Sequence, residues 1–197
     1  MRKARLFVIS GPSGVGKGTL VSLLRDRRPD LGLTVSATTR APREGEIDGT
    51  SYHFISEEEF QALVEQDAFL EWDGHFGARY GTLWSEVNGH LDKGCSVILE
   101  IDVNGALNVR RSLPEAVLSF IAPPSLAALE ERLRGRGSED EERIARRLER
   151  CAWEMEQSVL YDEVLVNDEL DVALEALEQI ISHYEIDDGG MVHNGHH

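Results

Sequence analysis

Residues 6–19 read LFVISGPSGVGKGT, a short apolar run that breaks into a glycine-rich loop carrying a lysine. Leu6, Phe7, Val8 and Ile9 have the length and composition of a buried strand, and Leu20, Leu23 and Leu24 beyond the loop open a helical pattern. Strand, glycine loop and helix in that order form the setting of a phosphate cradle. Gly11, Pro12, Ser13, Gly14, Val15 and Gly16 allow the backbone to curl so that successive N–H groups face inward. The helix N-terminus adds favourable partial charge, and Lys17 is placed to reach the β and γ phosphates of ATP. Gly18 stands where a serine or threonine hydroxyl normally touches magnesium, with Thr19 after it. A Mg2+ ion accompanying ATP is therefore expected to be held mainly by phosphates and water, which suits its reluctance to lose hydration.

Outward from this loop, further apolar runs at 97–101, 117–121 and 164–166 read as buried strands separated mostly by helical patterns. That alternation predicts an α/β fold of three layers, a central parallel sheet with helices on both faces. Ser56 before Glu59 and Ser138 before Glu141 have the spacing of capping boxes that start helices. Leu170, Leu174, Leu177 and Ile181 form a helical stripe expected to pack on the sheet. Two regions interrupt the pattern. Residues 34–83 mix strand-like pieces at 52–55 and 68–71 with one helix and several glycines, and read as an insertion. The stretch 132–150 gathers Arg132, Arg134, Arg136, Arg143, Arg146, Arg147 and Arg150 around a Gly-Arg-Gly loop. The expected organisation is a core of 1–34, 84–131 and 151–186, an acceptor-binding insertion at 35–83, a lid at 132–150 and a disordered tail at 187–197.

Composition narrows the functions available. A chain of 197 residues with 41% hydrophobic content supports one sizeable core with insertions. A formal charge of −16 repels phosphate backbones, so neither nucleic acid nor an anionic membrane is expected as a partner, and an anionic ligand needs a locally basic pocket. Cys95 and Cys151 lack the Cys-x-x-Cys spacing, which argues for neither a disulfide framework nor a zinc site and favours a reducing, cytoplasmic setting. The basic start is followed by too short an apolar run for a signal peptide, and no run is long enough to cross a bilayer. His193, His196 and His197 fall in the polar, glycine-rich end, where nothing nearby would fix metal geometry.

The cradle identifies only a phosphoryl donor site; the acceptor must be read elsewhere. The insertion contains Ser36, Arg40, Arg43, Tyr52, Glu71, Tyr80 and Thr82 within the segments VSATTRAPREGEIDGTSYHF, FLE and YGT, followed by LEIDVNGA at 99–106 and LRGRG at 133–137. In order and spacing these segments resemble those of guanylate kinases, a family of P-loop nucleoside monophosphate kinases, over residues 5–185. The resemblance implies transfer of the ATP γ-phosphoryl group to GMP, and to dGMP, in purine nucleotide metabolism. It assigns Arg40, Arg43, Tyr52 and Tyr80 to the GMP phosphate, and Glu71 and Asp102, with Ser36 and Thr82, to guanine. The residue chemistry agrees. Two guanidinium groups and two phenols suit a phosphate. A carboxylate accepts the N1–H and N2–H₂ donors of guanine but meets a lone pair on adenine N1, a mismatch of about 1–3 kcal/mol. Glu100 precedes Asp102 by two residues on what reads as one strand face, and either acid is alternatively an orienter of water around magnesium. Asn104 and Ala78 depart from the glutamine and asparagine common in the family.

Attack by an anionic phosphate oxygen needs no strong base; it needs charge neutralisation and exclusion of water. By resemblance Arg132, Arg136 and Arg147 close over the ATP phosphates with Lys17 and Arg40 as the catalytic cations, and Asn167 lies near adenine. Arg134, Arg143, Arg146 and Arg150 match less clearly, and an exposed, ion-paired helix accounts for them equally well. Two readings compete: a guanylate-kinase-like scaffold without catalysis, and a P-loop kinase for another small acceptor. Oligomeric state and metal ligands are not encoded legibly in the sequence.

Overall fold

Strand β1 (Leu6–Ser10) is buried at every residue because helices cover both faces of its sheet. Phe7 and Ile9 enter one helical layer, Leu6 and Val8 the other, so this stretch runs apolar without alternation. The computed structural model describes residues 2–75, 77–135 and 141–186. The remaining strands are β2 (Gly32–Leu33), β3 (Ala37–Thr38), β4 (His53–Phe54), β5 (Phe69–His75), β6 (Ala78–Leu83), β7 (Val97–Glu100), β8 (Val117–Ala122) and β9 (Glu163–Val166). The helices are α1 (Lys17–Arg27), α2 (Glu57–Glu65), α3 (Trp84–Leu91), α4 (Val103–Ser112), α5 (Leu126–Gly135), α6 (Glu141–Glu156) and α7 (Leu170–Glu185), with a 3-10 turn at Gln157–Leu160.

The central sheet is parallel throughout, in the order β2-β7-β1-β8-β9, with Leu6 beside Val97 and Phe7 beside Val117. Helices α1 and α7 cover one face through Leu20, Leu24, Leu174, Leu177 and Ile181. On the other face lie Val87 of α3 and Val103, Ala106 and Val109 of α4. Each fully buried leucine or isoleucine contributes about 1.5–3 kcal/mol relative to exposure. Leu170, expected to extend the α7 stripe, is the first residue of the helix and is 39% exposed.

The insertion builds a second sheet, β4-β3-β6-β5, in which β6 runs antiparallel to both neighbours. Its separate core joins Ala37, Phe60 and Phe69, the two rings stacked at 4.5 Å. Ser56 starts α2 with the expected capping box, its hydroxyl accepting from Glu59 N–H while the Glu59 carboxylate accepts from Ser56 N–H. Leu70 of β5 leaves this sheet to join the core beside α4, anchoring the insertion to the main body. Strands β2, β3 and β6 were not anticipated: β2 and β3 have two residues each, too few for periodicity to show, and β6 is only half-buried over most of its length.

Helices α5 and α6 pack through Leu129, Cys151, Leu148 and Met155. Cys151 is core material, its thiol pushed up to about 11 mainly by burial. Ser138 and its cap lie outside the described residues, as do Arg136 and the tail at 187–197. Among the described residues no helix is long and apolar enough to cross a membrane.

Candidate active site

The cradle opens at the carboxyl end of β1, where ligands sit in sheets of this kind. Gly16, at φ 99°, turns the chain into α1, whose first turn has no side-chain cap, leaving the helix-terminal amides for an anion. Lys17 folds back over the loop and donates to the carbonyls of Gly11 at 2.7 Å and Pro12 at 3.1 Å. Burial lowers the Lys17 pKa, and the negative charges of Glu100, Glu154 and Asp102 oppose that shift.

A cleft of about 440 Å³ lies between the cradle, the insertion and α6. Gly11, Ser13 and Lys17 line its donor side; Ser36, Arg43, Tyr52, Glu71 and Tyr80 line the opposite wall. Glu100 and Asp102 form the floor, and Arg147, Arg150 and Glu154 reach in from α6. A second hollow, of about 330 Å³, lies outside the loop and is lined by Gly14, Val15, Gly16, Thr19, Asn167, Asp168 and Leu170. Asn167 is buried and its side-chain amide donates to the Val15 carbonyl at 2.8 Å, so it braces the cradle from behind.

On the acceptor wall, a register shift between Phe69 and Glu71 sets Glu71 directly across from Thr82. The Thr82 hydroxyl donates to Glu71 Oε1 at 2.7 Å. Burial pushes the Glu71 carboxyl up to about 7; the Thr82 hydrogen bond pulls the other way and the charge of Asp102 reinforces the rise. Glu71 Oε2 lies 3.2 Å and Asp102 Oδ1 3.5 Å from where a Cβ on Gly105 would stand, so a side chain there would press on Glu71 while meeting Asp102 at ordinary contact distance. Glu100 and Asp102 do not share a strand face, as their spacing implied. Strand β7 ends at Glu100, and Asp102 is the N-cap of α4, accepting the Gly105 N–H at 2.9 Å.

Arg43, Tyr52 and Tyr80 line the cleft, the two phenol rings 6.0 Å apart. Arg40 lies behind them, its guanidinium over the Tyr52 ring at 5.3 Å and over Phe54 at 5.7 Å. Its fork is held by Glu46 through contacts of 2.8 and 2.9 Å, while its Nε is buried without a hydrogen-bond partner among the described residues. Glu46 also accepts the Arg43 N–H at 2.7 Å, and the Arg40 contact holds its pKa down at about 2. The sequence reading missed Glu46; an acid six residues from an arginine in a loop carries no periodic signal. It also left Arg150 and Glu154 without roles, although both line the cleft. Arg132 belongs to α5, but its side chain, like the whole of Arg136, lies outside the described residues.

For a divalent ion, the described residues offer oxygen donors but no group of three or more His, Cys, Asp or Glu placed to hold one. The Glu100 carboxylate stands 3.6–3.7 Å from where a Cβ on Gly18 would be, and so beside the place a loop hydroxyl would occupy. Thr19 faces the other hollow. That donor set fits a hard cation held through phosphate oxygens and water.

A phosphate cradle facing an acceptor wall of arginine, phenols and a buried acid, across one cleft, defines a P-loop kinase acting on small phosphorylated acceptors. A family model described as guanylate kinase matches residues 3–184. A guanylate kinase of Synechococcus sp. (strain CC9311) is 53% identical, with 89% of this chain and 93% of the relative covered. One of Neisseria gonorrhoeae is 52% identical over 92% of this chain and 88% of the relative. The crystal structure of guanylate kinase from Anaplasma phagocytophilum superposes with a TM-score of 0.74 at 28% identity, covering 95% of this chain and 88% of that one. The chain belongs to the guanylate kinase family.

Proposed function

We propose that the cleft holds ATP and GMP head to head and that its named side chains carry out the γ-phosphoryl transfer of the family. The observation that carries this reading is the pairing of the Lys17 cradle with the buried Glu71 across a single cleft. A phosphate oxygen of GMP attacks the γ-phosphorus, the bond from γ-phosphorus to the β–γ bridging oxygen breaks, and ADP and GDP result. The nucleophile is already anionic, so no side chain removes a proton from it.

Gly11 to Thr19 cradle the donor phosphates, with Lys17 on the β and γ groups, and Asn167 flanks the hollow that takes the adenine end. Arg43, Tyr52 and Tyr80 grip the GMP phosphate. The unsatisfied Nε of Arg40 supports a further contact there, because a buried donor costs about 1–3 kcal/mol until paired. Glu71, Thr82, Ser36 and Asp102 read guanine. Arg132, Arg136 and Arg147 close from the lid, and the insertion at 35–83 and the lid at 132–150 swing inward on the core to exclude water. A Mg2+ ion arriving with ATP would supply charge neutralisation on the β and γ phosphates, and Glu100 would be the residue to hold its water shell. dGMP is accepted as well, and the enzyme works in the cytoplasm.

A coupled ADP-release assay with GMP, dGMP, AMP, dTMP and shikimate tests the reading. GMP and dGMP turn over and the others do not; Lys17→Ala lowers kcat/KM by about 10²–10³ and Glu71→Gln erodes preference over AMP by about 10². Absence of turnover with GMP favours a non-catalytic scaffold, and brisk turnover with another acceptor reassigns the pocket.

A further inference from the structure

Arg150 sits on α6 at the far end of the arginine-rich segment, yet its guanidinium leaves the solvent face and enters the floor of the cleft. Its Nη2 lies 3.3 Å from Asp102 Oδ2, and its Nε donates to Glu154 Oε1 at 3.0 Å. Asp102 is fixed from the opposite side by the Gly105 N–H at 2.9 Å. Glu154 is 3% exposed and follows Arg150 at the i,i+4 spacing that puts both on one helix face. One turn of α6 therefore touches the acid at the start of α4 and also brings a buried carboxylate into the electrostatic reach of Lys17.

We propose that Arg150 is a positioning residue: through its contact with Asp102 it keeps that carboxylate aimed at the acceptor base and couples the seating of α6 to the occupancy of the acceptor pocket. The proposal rests on the reading of Asp102 as a guanine acceptor given above. Glu71, Asp73, Glu100, Asp102 and Glu154 all line this cleft, so a rotamer of Asp102 directed into it meets like charge unless a cation stands beside it. Arg150 meets Asp102 and Glu154 together, and so places a cation between them. Each carboxylate oxygen has a second lone pair, so Asp102 accepts guanine N–H groups without releasing Arg150 or Gly105. The pair is about a third exposed in the open cleft and is weakened there by water; closure over both substrates removes that screening and strengthens it. A contact that tightens on closure links α6, which carries the donor-side Arg147, to the acceptor pocket.

The test uses the full-length chain with Arg150→Gln, Arg150→Lys, Asp102→Asn and the Gln/Asn double variant, measured by steady-state kinetics, thermal unfolding and calorimetric titration of GMP with and without a non-hydrolysable ATP analogue. Arg150→Gln is expected to raise the GMP KM about three- to tenfold, with the ATP KM changed less than about twofold and the unfolding midpoint nearly unmoved. Arg150→Lys recovers part of the loss. The double variant is no worse for GMP than Asp102→Asn alone, and the tightening of GMP by the ATP analogue shrinks when Arg150 is replaced. A wild-type GMP KM in Arg150→Gln, with Asp102→Asn impaired, overturns the proposal while leaving the guanine reading intact. An unchanged GMP KM in Asp102→Asn overturns the guanine reading itself. Equal losses for ATP and GMP with a lowered unfolding midpoint assign Arg150 a purely structural part and also overturn the proposal.

Discussion

Glu71 and Thr82 face each other across β5 and β6, both buried, and the threonine hydroxyl donates to the glutamate at 2.7 Å. The hydroxyl aims one carboxylate oxygen and leaves the other directed over Gly105 toward Asp102. An acid in this position recognises guanine only when ionised, and in the empty cleft its pKa has been raised by burial to about 7. Guanine binding therefore expels a proton below that pH. We expect kcat/KM for GMP to rise with pH through about 7 and to level above it, and Glu71→Gln to abolish that inflection while keeping whatever titration belongs to the GMP phosphate. The stability sign is opposite. The folded protein holds a proton on Glu71 between the ordinary value of 4.5 and about 7, so the favourable contribution is complete below 4.5 and is lost as pH rises through 7. Glu71→Gln should then unfold later than the parent at pH 8, by on the order of 1–3 kcal/mol, with little difference at pH 4.5; chemical denaturation at the two pH values measures this.

Glu46 is expected to matter although it does not line the cleft. It holds both ends of the Arg40 fork and the Arg43 amide, fixing the turn that carries both arginines. Without its charge Arg40 keeps the Ala41 carbonyl, the neighbouring Tyr80 hydroxyl and the rings of Tyr52 and Phe54, without the bidentate hold on its fork. Glu46→Gln should raise the GMP KM about tenfold with little change for ATP, since charge-assisted bidentate contacts give geometry as well as energy. A tighter GMP complex in this variant would mean that Glu46 competes with phosphate for Arg40 instead of aiming it.

The stretches legible in the sequence are those whose function is local. The cradle of residues 11–19 works through backbone amides at a strand-to-helix junction, and β1, β7 and β8 announce themselves as apolar because both their faces are covered. Ser56 and Glu59 cap α2 as their spacing requires. What stayed hidden depends on contacts between distant segments. Asp102 read as sharing a strand face with Glu100, and its capping of α4 follows from where β7 stops. Arg150 read as either a lid arginine or an ion-paired helix charge, and its entry into the cleft depends on how α6 seats against α5 through Leu148, Cys151 and Met155. The expected grip of Arg40 on phosphate ignored Glu46, whose approach depends on the turn between them.

Asn167 offers a test of the donor side that leaves the acceptor wall untouched. Its side-chain amide donates to the Val15 carbonyl at 2.8 Å, and a Cβ on Gly16 would stand 2.7 Å from the same nitrogen. The residue that braces the loop therefore also opposes a side chain at Gly16, which in addition adopts φ 99°, a conformation costly for any other residue. Asn167→Ala removes a buried hydrogen bond worth about 0.5–1.5 kcal/mol and leaves the Val15 carbonyl exposed to a looser cradle. The expected result is an unfolding midpoint lowered by a few degrees and an ATP KM raised several-fold, with the GMP KM close to the parent value. Gly16→Ala should cost more in both measurements, because backbone strain and the contact with Asn167 act together. Joining the two changes relieves only the contact: the double variant should recover part of the stability lost by Gly16→Ala but none of the ATP affinity. A double variant that binds ATP like the parent would show that the amide shapes the loop by crowding alone and that its hydrogen bond to Val15 contributes nothing to the donor site.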